Sequence, residues 1–177
     1  MMIYDEFELN GKNVKIYYDE CADSPRVSCT NLWHLVSNHR NIGCNEGDLS
    51  LKEVMENRKE LERQGYIFRP VYMYQHSGIA LSLAPFSCPW DSGLGFIAYI
   101  HKDELRKEYN TKRVTKAVME KALNILKGEV ETYGYYLNGE TYGVEITDEE
   151  GNEEDSCWGF YGDESARDYA NDMCMVA

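Results

Sequence analysis

The sequence predicts an α+β fold, a mainly antiparallel sheet covered by one long helix, with a shorter helix in the N-terminal half. Three features carry that expectation. Two strand-like runs flank Asn10-Gly11, a pair that supplies the positive φ angles of a tight hairpin. Apolar residues recur at three- and four-residue steps from Val114 to Leu137. Ser50 and Glu53 form a capping-box pattern ahead of an amphipathic stretch.

Taken in order, residues 3–9 and 13–20 form the hairpin strands, and LWHLV at 32–36 reads as a further short strand. The helix opened by Ser50 covers 51–64 and ends at Gly65. Strands are expected near 66–74, 79–84 and 96–100, the first with Pro70 and hence at an edge or bulge. Residues 85–95, PFSCPWDSGLG, read as a loop, and 102–109 as a short helix. In the long helix Gly128 and Gly134 predict a bend or an early stop. Strands at 140–147 and 154–161 pair across a turn, and a last short helix covers 163–173. The chain, 1–177, is expected to be a single domain with an acidic hairpin and short helix at 140–177.

Charge placement is more informative than total charge. Residues 140–177 hold twelve acids against one base, Arg167, so this stretch carries −11 of the net −13. Phosphates are repelled by such an end, which argues against binding of free DNA. A basic surface that normally holds nucleic acid is its complement. Glu153 and Asp155, two apart in a strand, are expected about 6.6 Å apart on one face. Glu164, Asp168 and Asp172, four apart in a helix, are expected at about 6 Å. Both spacings approximate successive phosphates, and Glu149, Glu150 and Glu154 extend the row. The competing reading is a solvated acidic surface that serves solubility.

Three further groups invite chemistry. Cys88 is a candidate nucleophile with His76 or His101 as base, oriented by Asp91. Against that, Phe86, Trp90 and the neighbouring prolines suggest a buried inert thiol, with Trp90 as a plug anchoring the loop. Loss of such a plug costs about 3–5 kcal/mol. His76, in the turn Gln75-His76-Ser77-Gly78, is the histidine best placed for acid–base work, whereas His34 reads as a satisfied core histidine. The run Arg106, Lys107, Lys112, Arg113 and Lys116 offers a phosphate clamp beside it, or simply a solvated helix face. Six cysteines without ligand spacing suggest free thiols and no metal. No glycine fingerprint for a nucleotide occurs, so no cofactor is expected. The start lacks signal-peptide character and no apolar run approaches membrane-spanning length, so a cytoplasmic location is expected.

The segments PFSCPWDSG (85–93), GEVETYGYYLNGETYG (128–143) and DSCWGFYG (155–162) resemble a family of proteins carried by phages and plasmids of Gram-positive bacteria. Related proteins of this size occur among inhibitors of type II CRISPR effector nucleases. The resemblance implies an Asp before the His-Ser-Gly turn, and the sequence departs from it by carrying Gln75. The resemblance implies an anti-defence protein acting in a bacterial host cell, with a CRISPR effector nuclease, and its guide RNA, as partner. Three mechanisms stay open. The acidic end blocks a nucleic-acid surface on the effector, or the chain is a ribonuclease that truncates guide RNA through His76 and Asp91, or it is a DNA mimic directed at restriction enzymes.

Overall fold

The computed structural model describes residues 1–175, and they form an α+β protein with two four-stranded antiparallel sheets. The elements are β1 (Ile3–Leu9), β2 (Lys12–Tyr18), α1 (Pro25–Ser28), β3 (His34–Ser37), α2 (Leu51–Gln64), β4 (Tyr66–Gln75), β5 (Ile79–Ser82), β6 (Ser92–His101), α3 (Lys102–Glu108), α4 (Lys116–Leu137), β7 (Thr141–Thr147), β8 (Glu153–Tyr161) and α5 (Asp163–Met175). They fall into two compact units. The first comprises Met1–Cys29 and Thr132–Ala177, the second Thr30–Glu131.

In the first unit the strand order is β1-β2-β7-β8. The N-terminal hairpin turns at Asn10 and Gly11, both at positive φ, and its second strand pairs with β7. The acidic hairpin is therefore half of this sheet. Val14, Ile16, Val144 and Ile146 alternate onto one face and pack against Ala166, Ala170 and Cys174 of α5. Small residues at four-step spacing let α5 lie close to the sheet.

In the second unit the order is β3-β6-β4-β5. Here α2 covers one face through a core of Val36, Val54, Leu61, Phe68, Ile97 and Tyr99. Residues 95–100 of β6 are all buried, so this central strand is apolar on both sides. Trp33 is fully buried, and its indole N–H donates to the Ala122 carbonyl of α4 at 2.8 Å.

The expected elements are present, with instructive departures. The antiparallel strands divide between two sheets, and α5 and α2 cover them through the cores just described. The expected loop at 85–95 ends early, because Ser92 to Leu94 are drawn into β6 by pairing with Tyr74 to Tyr72 of β4. At Pro70 only β6 pairs with β4, since β5 reaches no further than Tyr72, and a bulge follows at Val71/Tyr72. The missing N–H therefore leaves no ladder bond unmade. Helix α4 runs through Gly128 and Gly134 without stopping.

Candidate functional site

The acidic end is built by α5 and the β7–β8 turn. Along α5, Ala166, Ala170 and Cys174 face the core, so Glu164, Asp168 and Asp172, offset by two residues, face outward. All three are exposed, and no hydrogen bond or ion pair engages their carboxylates among the described residues. Glu164 sits in the first turn, where the helix dipole favours it, but Asp172 sits in the last turn, where the dipole opposes it. The one base of this stretch is engaged elsewhere. Arg167 contacts Asp5 at 2.7 Å and Asp163 at 3.5 Å, and its bond to Asp5, with the Glu6 backbone N–H, holds the Asp5 carboxyl below its usual range.

The turn itself is organised by Asp148. Its carboxylate accepts from the Asn152 side chain at 2.8 Å and from the backbone N–H groups of Asn152 and Glu150 at 2.8 and 2.9 Å. These bonds lower its pKa, the Asn152 side chain most. Their contribution to stability is present above the ordinary carboxylate range and is lost as pH falls through the lowered value. Glu149 and Glu150 are left exposed at the tip. A Cβ on Gly11 would come 3.3 Å from the Glu149 carboxylate, and Asn10 donates to the Cys174 carbonyl at 3.1 Å. The turn acids and the end of α5 thus gather around the β1–β2 turn.

One expectation is corrected. Glu153 and Asp155 do not share a face, because a bulge lies between Ile146 and Thr147 in the β7–β8 register. Asp155 opposes Ile146 on the α5 side and accepts from the Tyr169 hydroxyl at 2.6 Å. Glu153 opposes Thr147 on the other face and accepts from Ser156 at 2.8 Å. Glu154 is paired with Lys12 at 2.8 Å. The carboxylates free to meet a partner are those of Glu149, Glu150, Glu153, Glu164, Asp168 and Asp172.

The His76 corner lies in the second unit. Asp91 joins two groups there, with His76 Nδ1 at 3.6 Å and the Cys88 thiol at 3.8 Å. The loop is held by Ser92, which donates to the Cys88 carbonyl, and by the Gln75 N–H, which donates to the Asp91 backbone carbonyl at 2.8 Å. Trp90 is no plug. It is 92% exposed, and Cys88 is half-buried rather than enclosed. The two prolines and the backbone bonds fix this loop without help from the indole.

The basic segment is not beside His76. Tyr66 pairs with His101 and Tyr74 with Ser92, so α3 leaves one end of β4 and β6 while His76 and Asp91 occupy the other. Ten residues of strand separate them, about 30 Å. Arg106 contacts Asp103 three residues back on α3. A strand held along Arg106, Lys107, Lys112, Arg113 and Lys116 would not thereby be presented to His76.

At the α3 end the structure assembles a cluster with no local sequence signal beyond the His101–Glu104 capping box. A hollow of about 340 Å³ is lined by His34, Gly47, Asp48, Tyr66, His101 and Glu104. His34, half-buried rather than in the core, lies 2.9 Å through Nε2 from Glu104, whose second oxygen accepts the His101 N–H at 2.8 Å. Asp48 accepts from Tyr66 at 2.5 Å, which with burial pushes that hydroxyl up to about 12. The Tyr99 hydroxyl, raised to about 12 chiefly by burial, donates to the Glu46 carbonyl at 2.6 Å. Gly47 is required here, since a Cβ would come 2.3 Å from that hydroxyl. An imidazole oriented by a carboxylate is acid–base machinery in principle. Here the neighbouring polar groups largely satisfy one another, and the network staples the 46–49 loop to β4 and β6.

His101 has a structural task. Its Nδ1 accepts the Asp103 N–H at 3.2 Å, and its Nε2 lies 3.1 Å from the Gln64 carbonyl, which fits the neutral ring protonated at Nε2. His101→Ala should lower stability by about 1 kcal/mol through loss of the cap, and His101→Asn, which can cap, should recover part of it. Urea unfolding of the two variants measures this.

Among the described residues no group of three or more His, Cys, Asp or Glu is placed to hold a metal ion. No helix among them is long and apolar enough to cross a membrane. No protein-family model, curated protein or solved structure matches the chain.

Proposed function

We propose that this protein is a binding module of a phage or mobile element that inhibits a CRISPR effector nuclease in the bacterial host cell by occupying a basic nucleic-acid surface. The observation that carries this reading is the outward row Glu164, Asp168 and Asp172, unpaired and exposed, joined at its end by Glu149 and Glu150. Like charges at four-residue spacing disfavour a helix, so stability does not account for the row. An effector holds its guide–target duplex in a positively charged channel and reads the flanking motif with arginines. A field of opposite sign steers such partners together and fixes their register. The resemblance noted above supplies the choice of effector, and the charge supplies the mode.

The ribonuclease alternative keeps one supporting observation, the approach of His76 to Asp91. The two modes differ in stoichiometry. Titration into an effector–guide complex, with DNA cleavage and guide length read on the same gel, is expected to give inhibition that saturates at a fixed protein-to-effector ratio, with the guide full length. His76→Ala should inhibit as the parent does. Progressive shortening of the guide at substoichiometric protein would establish the enzyme instead. The same titration against a restriction endonuclease tests the DNA-mimic alternative.

A further inference from the structure

The first sheet has a second face, turned away from α5, and apart from the buried Thr141 its described side chains are exposed or half-buried. The register lays out its rows. Ile3, Tyr17, Gly143 and Trp158 form one; Glu6, Lys15, Glu145 and Ser156 the next; Glu8, Asn13, Thr147 and Glu153 the third. The first row is an aromatic shelf. A Cβ on Gly143 would come 2.0 Å from Trp158 Cε3, so the indole lies flat on the bare glycine. Tyr17 stacks beside it, with ring centroids 5.9 Å apart and planes at 24°. Trp158 is 40% exposed, and its far side borders a mainly apolar hollow of about 470 Å³ that includes Met1, Asp19, Glu20 and Cys21.

Acids frame this shelf. Glu6, Glu8, Glu145 and Glu153 share its face, and Lys15, the one basic side chain among the described positions of these rows, lies 3.6 Å from Glu6. Glu145 accepts weakly from Tyr17 at 3.4 Å, which leaves most of its capacity open. A flat, partly desolvated indole bordered by carboxylates suits a planar cation, which stacks on the ring and hydrogen-bonds to the acid at its edge. Guanidinium meets both demands, and the compact, strongly hydrated ammonium meets them less well.

We propose that this face is a docking surface for an arginine-bearing segment of a protein partner, with one guanidinium seated on Trp158 and bonded to Glu145. The proposal deepens the basic-partner reading and rests on it for the nature of the partner. It adds a site at which arginine is distinguished from lysine.

The probe is a fluorescently labelled peptide of alternating arginine and glycine, with a lysine–glycine peptide of equal length, measured by anisotropy against the full chain. The arginine peptide is expected to bind at least about threefold tighter than the lysine one. Trp158→Ala should weaken it about tenfold, Trp158→Phe less, and Glu145→Gln about threefold. Should Trp158→Ala perturb the fold, as circular dichroism would reveal, the Phe and Gln variants carry the test. Joint replacement of Glu164, Asp168 and Asp172 by amides should change peptide binding less than about twofold, since they lie on the other side of the sheet. Equal binding of the two peptides, or peptide binding unmoved by Glu145→Gln and by both Trp158 variants, overturns the shelf. Loss of effector inhibition in the amide triple variant with peptide binding intact leaves both proposals standing. Intact inhibition there, with arginine selectivity retained, removes the mimic reading and keeps the shelf.

Discussion

Replacement of Trp33 by alanine is expected to lower stability by about 3–5 kcal/mol, the range for loss of a fully buried large aromatic. The ring has no exposed surface, and its N–H serves the Ala122 carbonyl, so truncation leaves both a cavity and a lost donor. The same change at Trp90 should alter stability by no more than about 0.5 kcal/mol, because its indole is in solvent. Thermal or urea melts of the two variants make the comparison directly. A large loss at Trp90 would mean that its loop packs differently from the arrangement described.

These two tryptophans mark where the sequence was legible and where it was not. Local rules located nearly every element. The Ser50–Glu53 box and Asn10-Gly11 act over a few residues, and the structure follows them. Partners were not legible. Strand β2 finds β7 more than a hundred residues away, and no periodicity in either states that pairing. Period-two patterns give a face, and here they served two sheets instead of one. The Pro-rich surroundings of Trp90 suggest a plug, whereas the loop is tied by Ser92 and Gln75 through the backbone.

The acidic end divides in the same way. Its charge and the outward direction of Glu164, Asp168 and Asp172 follow from helical spacing alone. The fate of Asp155 does not, because one bulge moves it to the opposite face from Glu153. The cluster around His34 joins residues from four separate stretches of chain, and only its His101–Glu104 capping box is local. The Trp158 shelf depends on Gly143 lying opposite, a fact of register.

The second large effect concerns binding. Joint conversion of Glu149, Glu150, Glu153, Glu164, Asp168 and Asp172 to amides should weaken inhibition of the effector about a hundredfold, since each of the six charges in a complementary field contributes about 0.5 kcal/mol. The fold should persist, because among the described residues no ion pair engages these carboxylates and Glu153 alone accepts a side-chain hydrogen bond, from Ser156.

The most direct test of charge-driven binding is the affinity of the parent chain and this six-fold variant for the effector–guide complex at low and physiological ionic strength. At low salt the Debye length is about 30 Å, and it shrinks to about 8 Å at physiological strength. The parent should bind tightly at low salt and weaken steeply as salt rises, mainly through slower association. The variant should bind weakly at both and vary little. Equal affinities for the two proteins, unchanged by salt, would contradict the account.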